Sequence, residues 1–205
     1  MTLSLWRLLA VALVLQLASQ ALGGQKAFDP IVLQKAGIST SAVEQLRALR
    51  LDREEVEQAA AVKQAGMAEE NIVTLWRTYH RRGQRFVNGK AVVRLRNVGT
   101  SDETILELAR RDLLDGWVAD VVAMRRAGFS DGGILELSDL KLLQKRPIPP
   151  GDTLARLKHT GLSEEAIIRL AAIGLRAEDI DRIEQLRRKG TDEKEIIRKF
   201  ERKLH

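Results

Sequence analysis

The chain contains no cysteine among its 205 residues. This absence excludes disulfide bonds, zinc sites built on thiolates, a cysteine nucleophile and a lipid anchor attached to cysteine. Aromatic residues make up only 4% of the chain, and there are four prolines. Runs rich in aromatic and β-branched residues, which are typical of strands, are therefore scarce. Because 44% of the residues are nevertheless hydrophobic, the composition predicts an all-α protein with an aliphatic core.

The N-terminal sequence, MTLSLWRLLAVALVLQLASQALGG, has the three parts of a secretory signal peptide. These are one positive charge (Arg7), an apolar run (8–17) and a small-x-small cleavage pattern (19–21). We therefore predict a signal peptide over residues 1–21 and an exported domain over 22–205, periplasmic or secreted. The apolar run is shorter than the roughly 20 residues of a membrane span, so no transmembrane segment is expected after cleavage. An uncleaved anchor and a buried first helix are the alternatives.

Six glycines mark an internal repeat, with spacings of 29, 33, 29, 33 and 29 residues. We call them the turn glycines: Gly37, Gly66, Gly99, Gly128, Gly161 and Gly190. Positions four and seven residues before each one, and six and nine residues after it, are almost all apolar. Such spacing is typical of two amphipathic helices joined at the glycine. The pattern predicts six helical hairpins, grouped as three double units of 62 residues, stacked in a solenoid-like array.

The stretch GFSDG, residues 128–132, matches the G-x-S-x-G pattern of a serine-hydrolase nucleophile elbow. That motif requires a strand before the turn, whereas a helical pattern precedes Ser130. The position two residues after each turn glycine reads Ser39, Ala68, Ser101, Ser130, Ser163 and Asp192. Serine and aspartate there are typical helix N-caps. We therefore predict that Ser130 caps a helix.

No other catalytic, metal or cofactor site is indicated. The three histidines are far apart in sequence and fall in no metal-ligand spacing. The carboxylates lie at helix starts or on polar faces, where no acid–base pair is indicated. We expect no cofactor and no enzymatic activity.

A basic column lies three residues before the turn glycines, with Gln34 as its exception. We call these five residues the inner column: Lys63, Arg96, Arg125, Lys158 and Arg187. One interpretation is a contact strip for an anionic partner, which the net charge of +6 permits. The favoured alternative is structural: cations in the last turn of a helix complement its dipole. They also lie within reach of the acids that open the next helix.

Two breaker-rich, basic linkers, residues 81–90 and 145–151, separate the double units. Trp76 and Tyr79 precede the first linker at helical spacing, and most such aromatics are core residues. Because basic residues follow them, they are nonetheless the best candidates for an exposed contact patch. The predicted patch comprises Trp76, Tyr79, Arg81, Arg82 and Arg85.

The stretch AAVKQAGMAEENIVTLWRTYHRRGQRF, followed by VVRLRNVGTSDETILEL, resembles a repeat of exported bacterial proteins of uncharacterised function. The similarity covers roughly residues 28–200 and implies architecture and export, with no activity. We expect an exported, non-catalytic interaction or scaffold module of the cell envelope. Its partner would be a protein or an anionic envelope component, and no nucleic acid is expected.

Two other functions are kept as alternatives. The first is nucleic-acid binding, because the chain is basic and LKHTGLSEEAIIRLAAIG resembles a helix-hairpin-helix motif with only one of its glycines. The second and less favoured alternative is a serine hydrolase using Ser130.

Overall fold

The computed structural model describes residues 28–143 and 148–204. The predicted signal peptide and residues 145–147 of the second linker lie outside the described residues. The described part contains twelve α-helices, one short 3-10 helix and no strand, which confirms the all-α prediction. The α-helices are α1 (Pro30–Lys35), α2 (Thr40–Ala48), α3 (Arg53–Gln64), α4 (Glu69–His80), α5 (Gly89–Asn97), α6 (Asp102–Arg110), α7 (Val118–Arg126), α8 (Asp131–Leu143), α9 (Gly151–His159), α10 (Glu164–Ala172), α11 (Ile180–Arg188) and α12 (Glu193–Leu204).

The helices form a two-layer helical array. Each odd-numbered helix packs against the next odd-numbered one, from α1 to α11, and each even-numbered helix packs against the next even-numbered one, from α2 to α12. Every turn glycine lies between an odd-numbered helix and the even-numbered helix that follows it. The first and second linkers precede α5 and α9, which begin at Gly89 and Gly151, so each linker is slightly shorter than the sequence suggested.

The repeated apolar positions form one continuous core between the layers. Four residues before the turn glycines, all side chains except the half-buried Leu186 are fully buried. The position six residues after the glycines is fully buried throughout, as Val43, Ile72, Ile105, Ile134, Ile167 and Ile196. Because a hairpin of two short helices covers only part of such faces, each hairpin depends on its neighbours for burial.

The turns have the predicted glycine and cap geometry. All six turn glycines have φ between +79° and +89°, a region that disfavours residues with a Cβ. At Gly99 the amide donates to Arg96 O (2.9 Å) and the Thr100 amide donates to Leu95 O (3.1 Å), which together make a Schellman motif. Ser130 Oγ accepts a hydrogen bond from the Gly133 amide (3.0 Å), so the capping prediction is confirmed. Side chains also cap at Ser39, Ser101, Ser163 and Asp192, whereas Ala68 makes no side-chain cap.

The 62-residue period has a packing cause at the start of alternate odd-numbered helices. The amide of Gly151 donates to Asp120 Oδ1 (2.7 Å), and a Cβ on Gly151 would lie 2.4 Å from the Asp120 backbone. Gly89, 62 residues earlier, contacts Gln58 in the same way, where a Cβ would lie 2.7 Å from the Gln58 Cβ. The equivalent residues of α3, α7 and α11 are the buried Val56, Val118 and Ile180. Along the odd-numbered layer, helices that begin with a glycine in close contact with the preceding helix therefore alternate with helices that carry a buried aliphatic residue at the equivalent position.

Candidate interaction surface

The inner column lies at the boundaries between successive hairpins. Arg96 Nη2 donates to the carbonyl oxygen of Gly66 in the preceding hairpin (3.1 Å), and its Nη1 donates to Thr100 O (3.4 Å). The same guanidinium forms an ion pair with Asp102 (2.8 Å), the residue that opens α6. Arg96 thus joins two consecutive turns, and its side chain is only 26% exposed.

The other arginines of the inner column repeat this arrangement. Arg187 Nη2 donates to Gly161 O (3.2 Å), and its Nη1 donates to Thr191 O (3.1 Å). Arg125 donates to Gly99 O and to Phe129 O (2.8 Å). A planar guanidinium can serve both turns because its donors point in fixed, divergent directions.

The two lysines of the inner column make simpler contacts. Lys63 Nζ lies 3.3 Å from the Glu69 carboxylate, and Lys158 Nζ lies 5.6 Å from the centre of the Phe129 ring. An ammonium group is a single point of charge and lacks the guanidinium fork.

The acids that open the even-numbered helices bind the preceding hairpin from the other side. Glu69 accepts from the Ser39 amide (3.1 Å), and Asp102 accepts from the Ala68 amide (2.9 Å). Asp131, Glu164 and Glu193 accept in turn from the amides of the preceding caps at Ser101, Ser130 and Ser163. These acids form a ladder of inter-hairpin hydrogen bonds. The hydrogen bonds from Ser39 lower the pKa of Glu69 below its ordinary value of 4.5.

These contacts favour the structural interpretation of the inner column. Three of its members pair with the acid that opens the following helix: Lys63 with Glu69, Arg96 with Asp102 and Arg125 with Asp131. The sequence missed the inter-hairpin part of these contacts, although the acids recur directly after the cap position. The alternative assignment, a partner-contact strip, has to use side chains that already bind neighbouring turns.

The predicted aromatic patch is wrong in one respect: Trp76 and Tyr79 are not exposed. Trp76 is 0% exposed and Tyr79 is 4% exposed. The first linker folds back and places the Phe86 ring against both, with centroid distances of 4.8 Å and 4.7 Å. Burial raises the pKa of Tyr79 to about 12. The position ten residues after the turn glycines indicates this burial, since it reads Trp76, Ala109, Ser138, Ala171 and Phe200 in the last five hairpins, all buried.

The cations of the first linker contact the array itself. Arg82 donates to the carbonyl oxygens of Ala109 (3.3 Å) and Arg110 (2.6 Å), at the end of α6. Arg85 pairs with Asp52 and, at 3.4 Å, with Glu54. The Arg81 side chain is exposed and has no ion-pair or hydrogen-bond partner among the described residues.

A buried carboxylate holds this linker in place. Glu55, which is 1% exposed, accepts from the Phe86 amide (3.0 Å) and contacts His80 Nε2 (2.8 Å). Its second oxygen accepts from the Asp52 amide (3.2 Å), which completes a capping box at the start of α3. Glu55 therefore connects the linker at Phe86 with the start of α3 and the end of α4.

A different group of cations faces solvent on the odd-numbered layer. We define the outer face as the positions two and five residues before the turn glycines, which share one side of each helix. The residues two positions before the turn glycines are Lys35, Gln64, Asn97, Arg126, His159 and Arg188. The residues five positions before them are Val32, Ala61, Arg94, Ala123, Arg156 and Gln185. None of the twelve is acidic.

The charges of the outer face are only partly neutralised. Within the described ranges, Lys35, Arg94 and Arg126 are exposed and have no ion-pair partner. Arg188 has a 3.9 Å contact with Glu184. Arg156 is paired with Asp181 (3.0 Å) and Glu184 (2.9 Å), and these hydrogen bonds raise its pKa, with Asp181 the larger cause. The inner-column cations thus bind acids, carbonyl oxygens or an aromatic ring of the array, whereas the outer face keeps a surplus of positive charge.

Two clefts open between odd-numbered helices beside these cations. The cleft between α3 and α5, of about 660 Å³, is lined by Glu54, Glu57, Gln58, Ala61, Lys90, Val93 and Arg94. The cleft between α9 and α11, of about 420 Å³, is lined by Arg156, His159, Thr160, Glu184, Arg187 and Arg188.

A scan against protein-family models finds no match, and a search of curated proteins finds no similar sequence. The resemblance to exported helical-repeat proteins therefore stays a prediction. Among the described helices, none is both long and apolar enough to cross a bilayer.

Proposed function

We propose that this chain is an exported, non-catalytic interaction module that binds a protein or an anionic envelope component through the outer face of its odd-numbered helices. The observation that carries this proposal is the division of the basic residues. Inner-column cations are occupied by turns and acids, whereas Lys35, Arg94 and Arg126 are exposed without charge partners. An exposed surface of one charge attracts partners of the opposite charge.

The hydrogen bonds of Ser130 support a structural role for this residue, although it lies in a sequence that resembles a nucleophile motif. Ser130 Oγ caps α8 by accepting from the Gly133 amide, and it also donates to Glu164 of the next hairpin. A serine nucleophile needs a base that removes its proton, commonly a histidine. Labelling of the native protein by a fluorophosphonate probe, lost in Ser130→Ala, would contradict the non-catalytic proposal.

Export is supported by the signal-peptide pattern of residues 1–21 and is tested by the intact mass of the native protein from fractionated cells. The proposal predicts a mass matching residues 22–205, or nearly so, in the periplasm or the medium. Full-length protein in the cytosol would contradict export and favour the nucleic-acid alternative. Full-length protein in the membrane fraction would indicate that residues 1–21 are kept as an anchor and that the module stays tethered to the membrane.

A further inference from the structure

We infer that the outer face binds an extended, acid-rich polypeptide segment laid across the odd-numbered helices, an inference that rests on the proposed interaction function. The charge of the face is the first support. Lys35, Arg94, Arg126 and Arg188 are spread from α1 to α11, and none of the twelve outer-face positions carries a carboxylate. The acids that line the adjoining clefts, such as Glu57 and Glu184, are paired with arginines. Charge complementarity of this kind speeds association and selects the partner.

Amide side chains on the same face favour a polypeptide over other anions. Gln64, Asn97 and Gln185 are exposed, and none of their side-chain amides has a hydrogen-bond partner within the described residues. A primary amide offers two N–H donors and one carbonyl acceptor. An extended peptide backbone presents both N–H and C=O groups, so these side chains match it. A phosphate or sulfate group offers acceptors only.

The spacing of the cations fits an extended chain. The axes of packed helices are about 8–10 Å apart, and an extended polypeptide advances about 3.3 Å per residue. Such a segment therefore passes one odd-numbered helix about every three residues. Acidic residues that reach α1, α5, α7 and α11 would meet the cations of the outer face, and the residues that pass α3 would meet Gln64 and Ala61.

The cleft between α3 and α5 supplies an anchor for the segment. Its acids are already paired, Glu57 with Arg53 (2.8 Å) and Glu54 with Arg85 (3.4 Å). Its cations, Lys90 and Arg94, have no charge partner among the described residues. An acidic side chain entering this cleft would meet two cations and an apolar wall.

The aromatic residues argue against single-stranded nucleic acid as the ligand. Proteins that bind such strands stack successive bases on exposed aromatic side chains. In the described part of the chain, all large exposed hydrophobic residues are aliphatic: Ile31, Val87, Leu142 and Leu143. The outer face contains no Phe, Trp or Tyr.

The test measures binding of the full-length protein to three fluorescent ligands by anisotropy. The ligands are a peptide of six Glu-Ser-Gly repeats, the same peptide with Gln for Glu, and an oligothymidylate of equal length. The outer-face variant carries Lys35→Gln, Arg94→Gln, Arg126→Gln and Arg188→Gln. The matched control removes the same charge from the exposed face of α12, with Lys194→Gln, Arg198→Gln, Lys199→Gln and Arg202→Gln. Circular dichroism verifies that both variants are folded.

We expect the acidic peptide to bind wild type and the α12 control within about twofold of each other, and the outer-face variant at least about tenfold more weakly. The Gln peptide should bind at least about tenfold more weakly than the Glu peptide. Equal loss in the two variants, or tighter binding of oligothymidylate than of the acidic peptide, would overturn the inference. Either result leaves the intact-mass test of export untouched, because that test involves no ligand.

Discussion

Arg96 on α5 binds the carbonyl oxygen of Gly66, the glycine that follows α3, over 3.1 Å. One guanidinium thereby completes the end of a helix in the preceding hairpin while it pairs with Asp102 in its own. Asp102 in turn binds the preceding hairpin, because it accepts a hydrogen bond from the amide of Ala68, two residues after Gly66. Arg125 and Arg187 bind the carbonyl oxygens of Gly99 and Gly161 in the same way, and the acids Asp131 and Glu193 accept from the amides of Ser101 and Ser163. At these three boundaries, charged side chains bind the neighbouring hairpin from both sides of the turn.

The two glycines of GFSDG should respond in opposite directions to alanine. Gly128 has φ +87°, so Gly128→Ala should lower the free energy of unfolding by about 1 kcal/mol. Gly132 lies exposed in α8, where a Cβ would be 3.7 Å from the nearest side-chain atom, Ser130 Oγ. Gly132→Ala should therefore raise the free energy of unfolding by about 0.5–1 kcal/mol. Urea denaturation measures both, and a loss of stability in both variants would contradict the assigned turn.

Close helix packing at the 62-residue period predicts a large effect at Gly151. A Cβ there would lie 2.4 Å from the Asp120 backbone, which cannot move aside as a flexible side chain would. We expect Gly151→Ala to lower the free energy of unfolding by about 1–3 kcal/mol. Gly116→Ala is the control, since a Cβ at Gly116 meets no atom within 4 Å. Thermal denaturation of the two variants distinguishes a local clash from a general cost of replacing glycine.

The acid ladder predicts a pH-dependent stability at Glu69. Its folded pKa is below the ordinary value of 4.5, chiefly because of hydrogen bonding with Ser39, so the unfolded state binds more protons between the two values. Its stabilisation is therefore complete above about pH 4.5 and is lost as the pH falls through the folded pKa. Glu69→Gln should be less stable than wild type at neutral pH, by less than about 1 kcal/mol because the site is partly solvated.

Denaturation of wild type and Glu69→Gln at neutral and acidic pH checks this prediction. The difference between the two proteins should shrink as the pH is lowered. A difference that stays constant across the titration would mean that the Glu69 carboxylate contributes nothing through its charge.

The helices and turns were predictable because their signals are local. An αL glycine, a cap residue two positions later and apolar positions at fixed offsets each determine geometry within one hairpin, and the repetition of these signals strengthens each of them. Ser130 is an example. The equivalent residues of the other repeats identify it as a helix cap, whereas the GFSDG motif taken alone suggests a nucleophile.

The contacts between hairpins were only partly predictable. The sequence shows that the inner column is basic and lies near the following acids, but the hydrogen bond from Arg96 to Gly66 depends on how the helices stack. Trp76 and Tyr79 were misjudged because Phe86 reaches them only when the linker folds back. The outer-face positions lie one residue after and two residues before the inner column along each helix, and the structure distinguishes the two sets by side-chain exposure.

The comparison of Arg125→Gln with Arg126→Gln tests this division of roles most directly. The two arginines are adjacent in α7, but Arg125 binds Phe129 O (2.8 Å), Gly99 O and Asp131, whereas Arg126 is exposed without a charge partner in the described chain. We predict that Arg125→Gln lowers the free energy of unfolding by about 2 kcal/mol and that Arg126→Gln changes it by less than about 0.5 kcal/mol. Equal effects of the two substitutions on stability would contradict the assignment of inner cations to the array and outer cations to a partner.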